Sequence, residues 1–577
     1  MPPLAMHRLR RPSALLVSAL VMLAASAGLS ALRHPTGARL SHDAALRAVL
    51  DTPRDARVLA HGERWTSVRV TPVDRAVTRV SFFAGPRLLA EAAVTPRGRI
   101  ERFADYRGLA VPYGAPLSQR PWLIALGCVA FLLATAVVPL RRLRNLDVLA
   151  LLAFVVPLAL LDAGLVVAST LTAVPPLLWL AGRCAWRALA PESGGWGAPA
   201  VAGERPAGDV TAPASRPLLD ALTPAWDDEQ RMRVLRVAVV AAASAVTMIT
   251  LSAPSTVDVG QAVMEGGTLL LHGTLPYGHL PGDVFHGDTY PLLSYLAYAP
   301  LAALMPVRDN WDVANGALVV AAGAALLVGW LLARGAAAWA HTGGPVAGER
   351  SDPAARAAGL RAALAWLACP PLVVAVSSGT SDVLLAALLA AALVLARRRV
   401  ASAALVLAAG WLKLVPFALL PIWLARLRGR RLAAALALLA ASAAGTWALL
   451  VALGGAGAPA RMLHAIAFQL DRRTLHSPWS LLGIERLQPL AQAAVLGLVA
   501  GATVRTWRDP AFGRDAVRLA ALAGAVLLGI QLCGNYWTYL YLAWAVPPIV
   551  LSLLAEVPAP APVRAATPAR ARAAALV

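Results

Sequence analysis

Charged residues are scarce in this chain of 577 residues. They make up 14% of the sequence, whereas 58% of the residues are hydrophobic. A soluble domain carries about a quarter charged residues and is nearer half apolar. Residues 122–140 contain no charge at all, and about 20 such residues are enough to cross a bilayer. The scarcity of charge therefore argues against an ordinary soluble protein and predicts an integral membrane protein.

Acidic residues are fewer than basic residues, which gives a formal net charge of +21. A basic balance often marks a surface that binds nucleic acid. Here the arginines lie between apolar segments and in the C-terminal tail, where positive charge retains loops in the cytoplasm. The basic charge therefore indicates membrane topology, and no nucleic-acid partner is predicted.

Cysteine is also rare. Cys128, Cys184, Cys369 and Cys533 lie in or beside apolar segments, with neither metal-ligand nor disulfide spacing, and we interpret them as buried small hydrophobic residues. The chain has no Gly-rich phosphate loop ending in Lys-Ser/Thr and no Rossmann fingerprint. These absences argue against a primary ATPase and against a soluble nucleotide-sugar transferase.

The N-terminal part predicts a membrane anchor followed by a small external module. Residues 1–32 combine a basic start with an apolar run, as in a signal peptide or an uncleaved first helix. Both alternatives place residues 35–118 outside the cytoplasm. A helix-like stretch and three or four alternating segments predict an α+β module there. Its pattern resembles a PepSY-type extracytoplasmic domain.

The remaining chain is dominated by apolar segments, and we expect an all-α polytopic membrane protein with about 12–14 transmembrane or re-entrant helices. Its predicted parts are three transmembrane helices in 122–187, a disordered cytoplasmic linker in 188–232, a helical core in 234–555 and a disordered cytoplasmic tail in 556–577. No internal repeat is found, although many transporters show paired halves.

Two segments do not fit a simple count of spans. Basic clusters flank 401–427 on both sides, and Lys413 and Pro416 interrupt its middle. This pattern predicts two half-helices that enter from the cytoplasm and return to it. The run 290–307 is expected to be interfacial or re-entrant, because only then does Arg334 fall on the cytoplasmic side.

Polar residues of the predicted outer face concentrate in the loop 254–288. Asp258 stands just beyond the end of an apolar helix, and Glu265 follows seven residues later, so both could share one helical face. Charge at membrane depth costs several kcal/mol unless it is paired or hydrated. The concentration of polar groups therefore indicates a functional site in this loop.

A series of short motifs extends from this loop along the core. The motifs are, in order, Asp258, Leu270-Leu271-His272-Gly273, Pro276-Tyr277, Tyr290-Pro291, Ser377-Ser378-Gly379-Thr380-Ser381-Asp382, Gly410-Trp411-Leu412-Lys413 with Pro416, and Arg472-Arg473 with Ser477-Pro478-Trp479. Together they resemble the GT-C class of glycosyltransferases, and in particular glycosyltransferase family 87, whose members use polyprenyl-phosphate sugars. The resemblance covers about residues 234–555. Tyr290-Pro291 lacks the second proline often seen at this place.

The resemblance implies a multi-pass enzyme of the plasma membrane with its active site on the extracytoplasmic face. A sugar (mannose-like, or another hexose or pentose) would pass from a polyprenyl-phosphate donor to a hydroxyl of a cell-envelope glycan or glycolipid, usually with inversion. Such a transfer needs a carboxylate that takes the hydroxyl proton. We predict that Asp258 is this base; the alternative is a solvated aspartate at a helix end.

Further side chains are candidates for binding the donor or the acceptor: Glu265, Tyr277, His279, Asp288, Tyr290, Lys413, Arg472, Arg473 and His476. The last three would hold the donor phosphate, or would belong to a solvated loop at lipid headgroups. Lys413 either faces a polar cavity or snorkels to the membrane surface.

Two other features have a simpler interpretation. Asp382 precedes an apolar helix and is interpreted as its N-terminal cap. An aromatic group is interpreted first as an interfacial belt and second as a surface that stacks on sugar rings; its members are Tyr536, Trp537, Tyr539, Tyr541 and Trp544.

No cofactor or metal site is predicted. His279, Asp283, His286 and Asp288 include ligand types of a divalent cation, but their spacing matches no specific motif. Two functions of other classes stay open. One is a transporter or flippase of a polyprenyl-linked substrate, and the other is a non-catalytic membrane sensor with residues 35–118 as its ligand-binding module.

Overall fold

A computed structural model provides the structure of the protein. It describes residues 41–61, 64–72, 78–84, 87–105, 121–162, 166–189, 216–253, 256–280, 287–307, 314–340, 353–471 and 476–554. The predicted anchor 1–32 and the predicted tail 556–577 lie outside the described residues.

The N-terminal region combines two helices with an antiparallel sheet. Its elements are the helices His42–Leu50 and Pro53–Ala60 and the strands Ser67–Pro72, Thr78–Ala84, Arg87–Val94 and Ile100–Asp105. The four strands pair in sequence order, and Val80 lies opposite both Val70 and Ala92. Buried Val49 of the first helix packs in the same apolar cluster as these residues, because strand side chains alternate between two faces and one face meets the helix.

Six helices among the described residues are long and apolar enough to cross a membrane. They are Leu143–Leu161, Asp228–Leu251, Asn315–Ala336, Gly429–Gly454, Glu485–Arg508 and Ala516–Cys533. A seventh span results if Pro353–Ala368 and Pro370–Ser377 are counted together, with a 59° bend between them. The protein is therefore an all-α polytopic membrane protein in its main part. The predicted 12–14 spanning or re-entrant helices stay a prediction, because the shorter apolar helices cannot cross alone.

A buried ion pair joins two of the four helices described in residues 121–189. The four helices are Pro121–Thr135, Leu143–Ala153, Val155–Asp162 and Val166–Leu189. Arg183 donates two hydrogen bonds of 2.9 and 3.0 Å to the two carboxylate oxygens of Asp147, and the indole of Trp179 donates a third of 2.9 Å. A buried charge is tolerated when it is paired in this way, and this pair links two helices of the predicted 122–187 unit.

The predicted disordered linker 188–232 is wrong for its last part. Strand Arg216–Pro217 pairs with Val137–Val138, and the helices Leu218–Leu222 and Asp228–Leu251 follow. Arg361 of the core holds the Asp220 carboxylate at 2.7 Å, and Asp227 forms a capping box with Gln230. Composition does not reveal partners that lie far away in sequence, which explains the error. Residues 190–215 lie outside the described residues.

The core begins with helix Asp228–Leu251 and continues through helices of unequal length. They are Asp258–Leu271, Leu292–Leu296, Ala299–Leu304, Asn315–Ala340, Pro353–Ala368, Pro370–Ser377, Asp382–Val394, Arg399–Leu412, Val415–Leu419 (3-10), Leu420–Leu424, Gly429–Gly454, Ala458–Asp471, Pro478–Leu482, Gln488–Arg508, Ala516–Cys533, Leu542–Ile549 and Val550–Leu554. The two short helices between 292 and 304 are too short for a full span, as expected for 290–307.

The segment 401–427 is broken as its sequence predicts. Helix Arg399–Leu412 ends at Lys413, whose backbone is extended, and the 3-10 turn Val415–Leu419 leads into helix Leu420–Leu424. Pro416 helps to break the helix because proline has no backbone N–H to donate. The side of the membrane from which these half-helices enter stays a prediction.

Candidate functional site

A buried ion pair lies where two core helices meet. The Lys413 ammonium is 2.6 Å from Asp382 Oδ1, and both side chains are almost entirely inaccessible to solvent. Thr380 donates a hydrogen bond of 2.5 Å to the other carboxylate oxygen, Asp382 Oδ2. The indole N–H of Trp544 donates to Asp382 Oδ1. Since every carboxylate oxygen has a donor, the charge of Asp382 is fully partnered.

Three aromatic rings surround the ammonium. Its nitrogen lies 5.3 Å from the ring centre of Tyr290, 5.6 Å from that of Tyr541 and 5.5 Å from that of Trp544. Ring faces at such distances attract a cation. Lys413 is thus held inside the protein by Asp382 and does not snorkel, which excludes one of the two alternatives that its sequence position left open.

Trp411 indicates the depth of this pair. Its indole N–H donates a hydrogen bond of 2.9 Å to Ser442 Oγ, and Ser442 lies halfway along helix Gly429–Gly454. With 26 residues, this helix is about 39 Å long. Lys413 follows Trp411 by two residues, so the ion pair lies well away from both ends of a candidate span.

The turn Ser378–Thr380 connects the ion pair with the helix that carries Asp258. The N–H of Val257, which precedes this helix, donates to the Ser378 carbonyl at 2.9 Å. Gly379 has a φ of +70°, a conformation that L side chains rarely adopt. A Cβ at Gly260 would lie 2.6 Å from the Gly379 carbonyl oxygen. Glycine at both positions therefore allows the Asp258 helix to approach the turn closely.

Asp258 is the first residue of helix Asp258–Leu271 and is exposed on the protein surface. Its Oδ1 accepts a hydrogen bond of 2.8 Å from the N–H of Val259. Glu265 is half-buried on the same helix. Seven residues correspond to nearly two full turns, so the two carboxylates lie on one face.

Tyr290 is near both the exposed carboxylate of Asp258 and the buried pair. Burial raises the pKa of its phenol well above the ordinary value, and the charges of Asp258, Tyr541 and Asp382 raise this pKa further. Its ring also faces Lys413. The phenol is therefore a neutral hydrogen-bonding group near neutral pH. It is near the carboxylates of Asp258 and Asp382, which are 124 residues apart in the sequence.

Tyr277, His279 and Asp288 support the loop that presents Tyr290. The Tyr277 hydroxyl donates to the Tyr290 carbonyl at 3.0 Å, and its ring is buried. Asp288 accepts from the N–H of Gly278 at 3.1 Å, and His279 Nδ1 lies 3.1 Å from the Tyr277 carbonyl. In this conformation these groups hold the loop together, while the ring of His279 is exposed.

His476 begins a row of aromatic rings that ends at the ion pair. Its ring centre is 4.9 Å from that of Tyr536, which is 6.1 Å from Tyr541. Tyr541 in turn stacks on Trp544 at 4.3 Å. The rings of Tyr536, Tyr541 and Trp544, with that of Tyr290, form an aromatic wall beside Lys413. His476 stands at the far end of this wall. Arg472 and Arg473 lie outside the described residues.

Sequence reasoning missed Asp382 and part of this wall. The helix cap is Ser381, and the side chain of Asp382 instead binds Lys413. Trp537, Tyr539 and Trp544 are buried, so they do not form a belt that faces lipid headgroups. One signal was present: Lys413 is the only lysine, and the other 51 of the 52 basic residues are arginines. An ammonium is a more compact charge than a guanidinium group, and Lys413 is placed among three rings.

Metal ligands do not cluster in the part of the chain that the structure describes: no group of three or more His, Cys, Asp or Glu residues could hold an ion there. Asp283 and His286 of the considered set lie outside that part. The four cysteines are free.

The described geometry defines a helical membrane protein with an exposed carboxylate beside an aromatic-lined ion pair. No protein-family model matches the chain, and no curated protein is significantly similar to it. Its function is therefore argued from the site alone.

Proposed function

We propose that the protein is a glycosyltransferase that takes a sugar from a polyprenyl-phosphate donor and transfers it to an acceptor hydroxyl outside the cytoplasm. The observation that carries this proposal is the position of Asp258. Its carboxylate is exposed, it is near enough to raise the pKa of Tyr290, and the ring of Tyr290 lies beside Lys413. Such an arrangement suits a reaction in which water-soluble and membrane-bound partners meet.

Asp258 serves as the general base. The acceptor oxygen attacks the anomeric carbon, its proton moves to Asp258, and the bond between this carbon and the phosphate oxygen breaks. The electron pair of that bond leaves with the lipid phosphate. A base for this step must lie within hydrogen-bond reach of the hydroxyl whose proton it takes.

The aromatic wall receives the sugar. Tyr541 and Trp544 offer ring faces to the apolar C–H side of a sugar ring, and the Tyr290 phenol offers a hydrogen bond. Lys413 already shares its charge with Asp382, so we assign to it the positioning of these rings. The donor phosphate is left to His476, Arg472 and Arg473, as the sequence predicts.

A transfer assay with purified protein tests this function. A panel of polyprenyl-phosphate sugars is incubated with extracts of cell-envelope acceptors, and the glycosylated products are measured by mass spectrometry. Wild type is expected to form product with at least one donor. Asp258→Asn is expected to lower the rate by about 100- to 10,000-fold, which is the usual contribution of a general base.

Asp228→Asn is the matched control, since Asp228 is also the exposed first residue of an apolar helix. It lies at the arginine-rich end of the core, and its loss should leave the transfer rate unchanged. A folded Asp258→Asn protein that transfers sugar at the wild-type rate excludes the assignment of the base.

A second candidate is a transporter or flippase of the same lipid-linked substrates. Buried ion pairs and broken helices are typical of transporters, and the Asp382–Lys413 pair beside the broken segment 399–424 favours this class. Proteoliposomes separate the two functions. A flippase moves the lipid-linked sugar between leaflets without forming a new glycosidic bond, whereas the transferase forms the bond and releases polyprenyl phosphate.

A further inference from the structure

An open apolar cleft of about 390 Å³ lies between helix Leu420–Leu424 with the start of helix Gly429–Gly454 and the end of helix Gln488–Arg508. Pro421, Leu424 and Leu432 line one side, and Val504, Trp507 and Arg508 line the other. The candidate spans Gly429–Gly454 and Glu485–Arg508 are only 6% and 17% buried inside the protein. The cleft therefore opens toward the space that the bilayer fills.

The mouth of the cleft is strongly basic. Segments 397–431 and 505–518 contain eleven arginines and two aspartates. Both aspartates accept hydrogen bonds from backbone N–H groups, Asp509 from Ala511 and Asp515 from Val517, and Asp515 also pairs with Arg518 at 3.2 Å. The carboxylates in these segments are thus too few to neutralise the guanidinium groups, and an anion from elsewhere is favoured here.

Arg428 joins the two walls of the cleft. Its guanidinium lies 3.7 Å from the ring centre of Trp507 and donates to the carbonyls of Ala425 and Trp507. Arg430 and Arg431 follow in the first turn of helix Gly429–Gly454, where the helix dipole also favours negative charge. Arg508 completes the rim and is exposed.

This cleft is distant from the candidate site. Helix Gly429–Gly454 runs for about 39 Å from Arg428 to Gly454, and Gly454 packs against Leu275 in the loop that carries Tyr277. The cleft and the loop that carries Tyr277 therefore lie at opposite ends of this candidate span.

We propose that the cleft binds an anionic glycerophospholipid of the leaflet at the arginine-rich end. One acyl chain lies against Leu424, Leu432 and Val504, and the headgroup phosphate contacts Arg508 with the neighbouring arginines. An apolar lining with a cationic rim matches the two parts of such a lipid, and a zwitterionic lipid lacks the net negative charge. This site does not depend on the proposed sugar transfer.

Native mass spectrometry of the purified full-length chain tests the proposal. Phosphatidylglycerol and phosphatidylcholine with identical acyl chains are titrated separately, and the bound lipid is counted. We expect one phosphatidylglycerol to be retained in preference to phosphatidylcholine. Each arginine near a membrane surface contributes about 1 kcal/mol to binding anionic lipid, so Arg508→Gln should lower retention about five-fold.

Matched variants distinguish the cleft from general surface charge. Arg334→Gln removes another exposed arginine near the end of a different candidate span. Like Arg428, Arg334 covers a tryptophan ring, that of Trp330. This variant should retain the lipid. Val504→Phe fills the cleft and should reduce retention, whereas Leu496→Phe, at an exposed position on the same helix, should not. Equal retention of both lipids, or equal effects of Arg508→Gln and Arg334→Gln, overturns the proposal.

Discussion

The Lys413 ammonium and the Asp382 carboxylate are 2.6 Å apart, although 31 residues separate them in sequence. They lie at the ends of two antiparallel helices: Asp382–Val394 begins at the aspartate and leads to the arginines 397–399, and Arg399–Leu412 leads back and ends beside the lysine. The two helices therefore form a hairpin whose two free ends lie side by side, and the Lys413–Asp382 ion pair joins these ends.

A double-mutant cycle measures this pair. Removing one partner leaves an uncompensated buried charge, so Lys413→Met or Asp382→Asn should each lower the free energy of unfolding by about 3–5 kcal/mol. The double variant should lose much less than the sum of the two. Denaturant titration in mixed micelles gives these values, and Arg233→Gln, which breaks the exposed pair with Glu229, should cost less than about 1 kcal/mol. Additive single losses would mean that the two groups do not interact.

The single lysine provides a chemical probe of burial. An amine-reactive reagent can modify only Lys413 and the N-terminal amine of the chain. We expect the folded protein to be modified once, at the N-terminus, because Lys413 is enclosed by rings and paired with Asp382. The unfolded protein should be modified twice, and unfolded Lys413→Arg only once. Rapid modification of Lys413 in the folded protein, read by peptide mass, contradicts its enclosure.

The glycine contact beneath Asp258 can be tested by adding one methyl group. Gly260→Ala places a Cβ within 2.6 Å of the Gly379 carbonyl oxygen, so the helix must shift, at a cost of about 1–3 kcal/mol. Gly497→Ala is the control, since a Cβ there meets nothing within 4 Å and alanine favours a helix by up to about 1 kcal/mol. Thermal unfolding should show a lower melting temperature than wild type for Gly260→Ala and an equal or higher one for Gly497→Ala. A stabilised Gly260→Ala protein would exclude the close approach.

The Tyr290 phenol should resist ionisation. Its pKa in the folded protein is raised above the unfolded value of about 10, so the folded state holds this proton more tightly. The contribution to stability is complete below pH 10 and is lost as the pH rises further. Absorbance of phenolate at 295 nm measures this directly. Below the pH of unfolding, Tyr290→Phe should give the same increase in absorbance as wild type. The loss of one tyrosine increment near pH 10 in this variant would show that Tyr290 is accessible.

Part of the candidate site follows from local sequence, and the rest does not. Asp258 and Glu265 share a helical face because their spacing matches the helix period, and Pro416 marks the break beside Lys413. From the local sequence, Asp382 is predicted to be a helix cap, because it precedes an apolar helix. Its real partners, Lys413 and Trp544, lie 31 and 162 residues away, and no local pattern encodes such distances.

The sequence by itself determines that this chain enters a membrane and forms helices there, because long apolar runs bounded by arginine have few other stable arrangements in lipid. Only the tertiary structure decides that the single lysine is enclosed, that its counter-ion is Asp382, and that residues 216–232 are ordered. Each of these depends on side chains from distant segments that satisfy one another's charge or hydrogen bonds. Such pairing is a property of packed helices and not of any one of them.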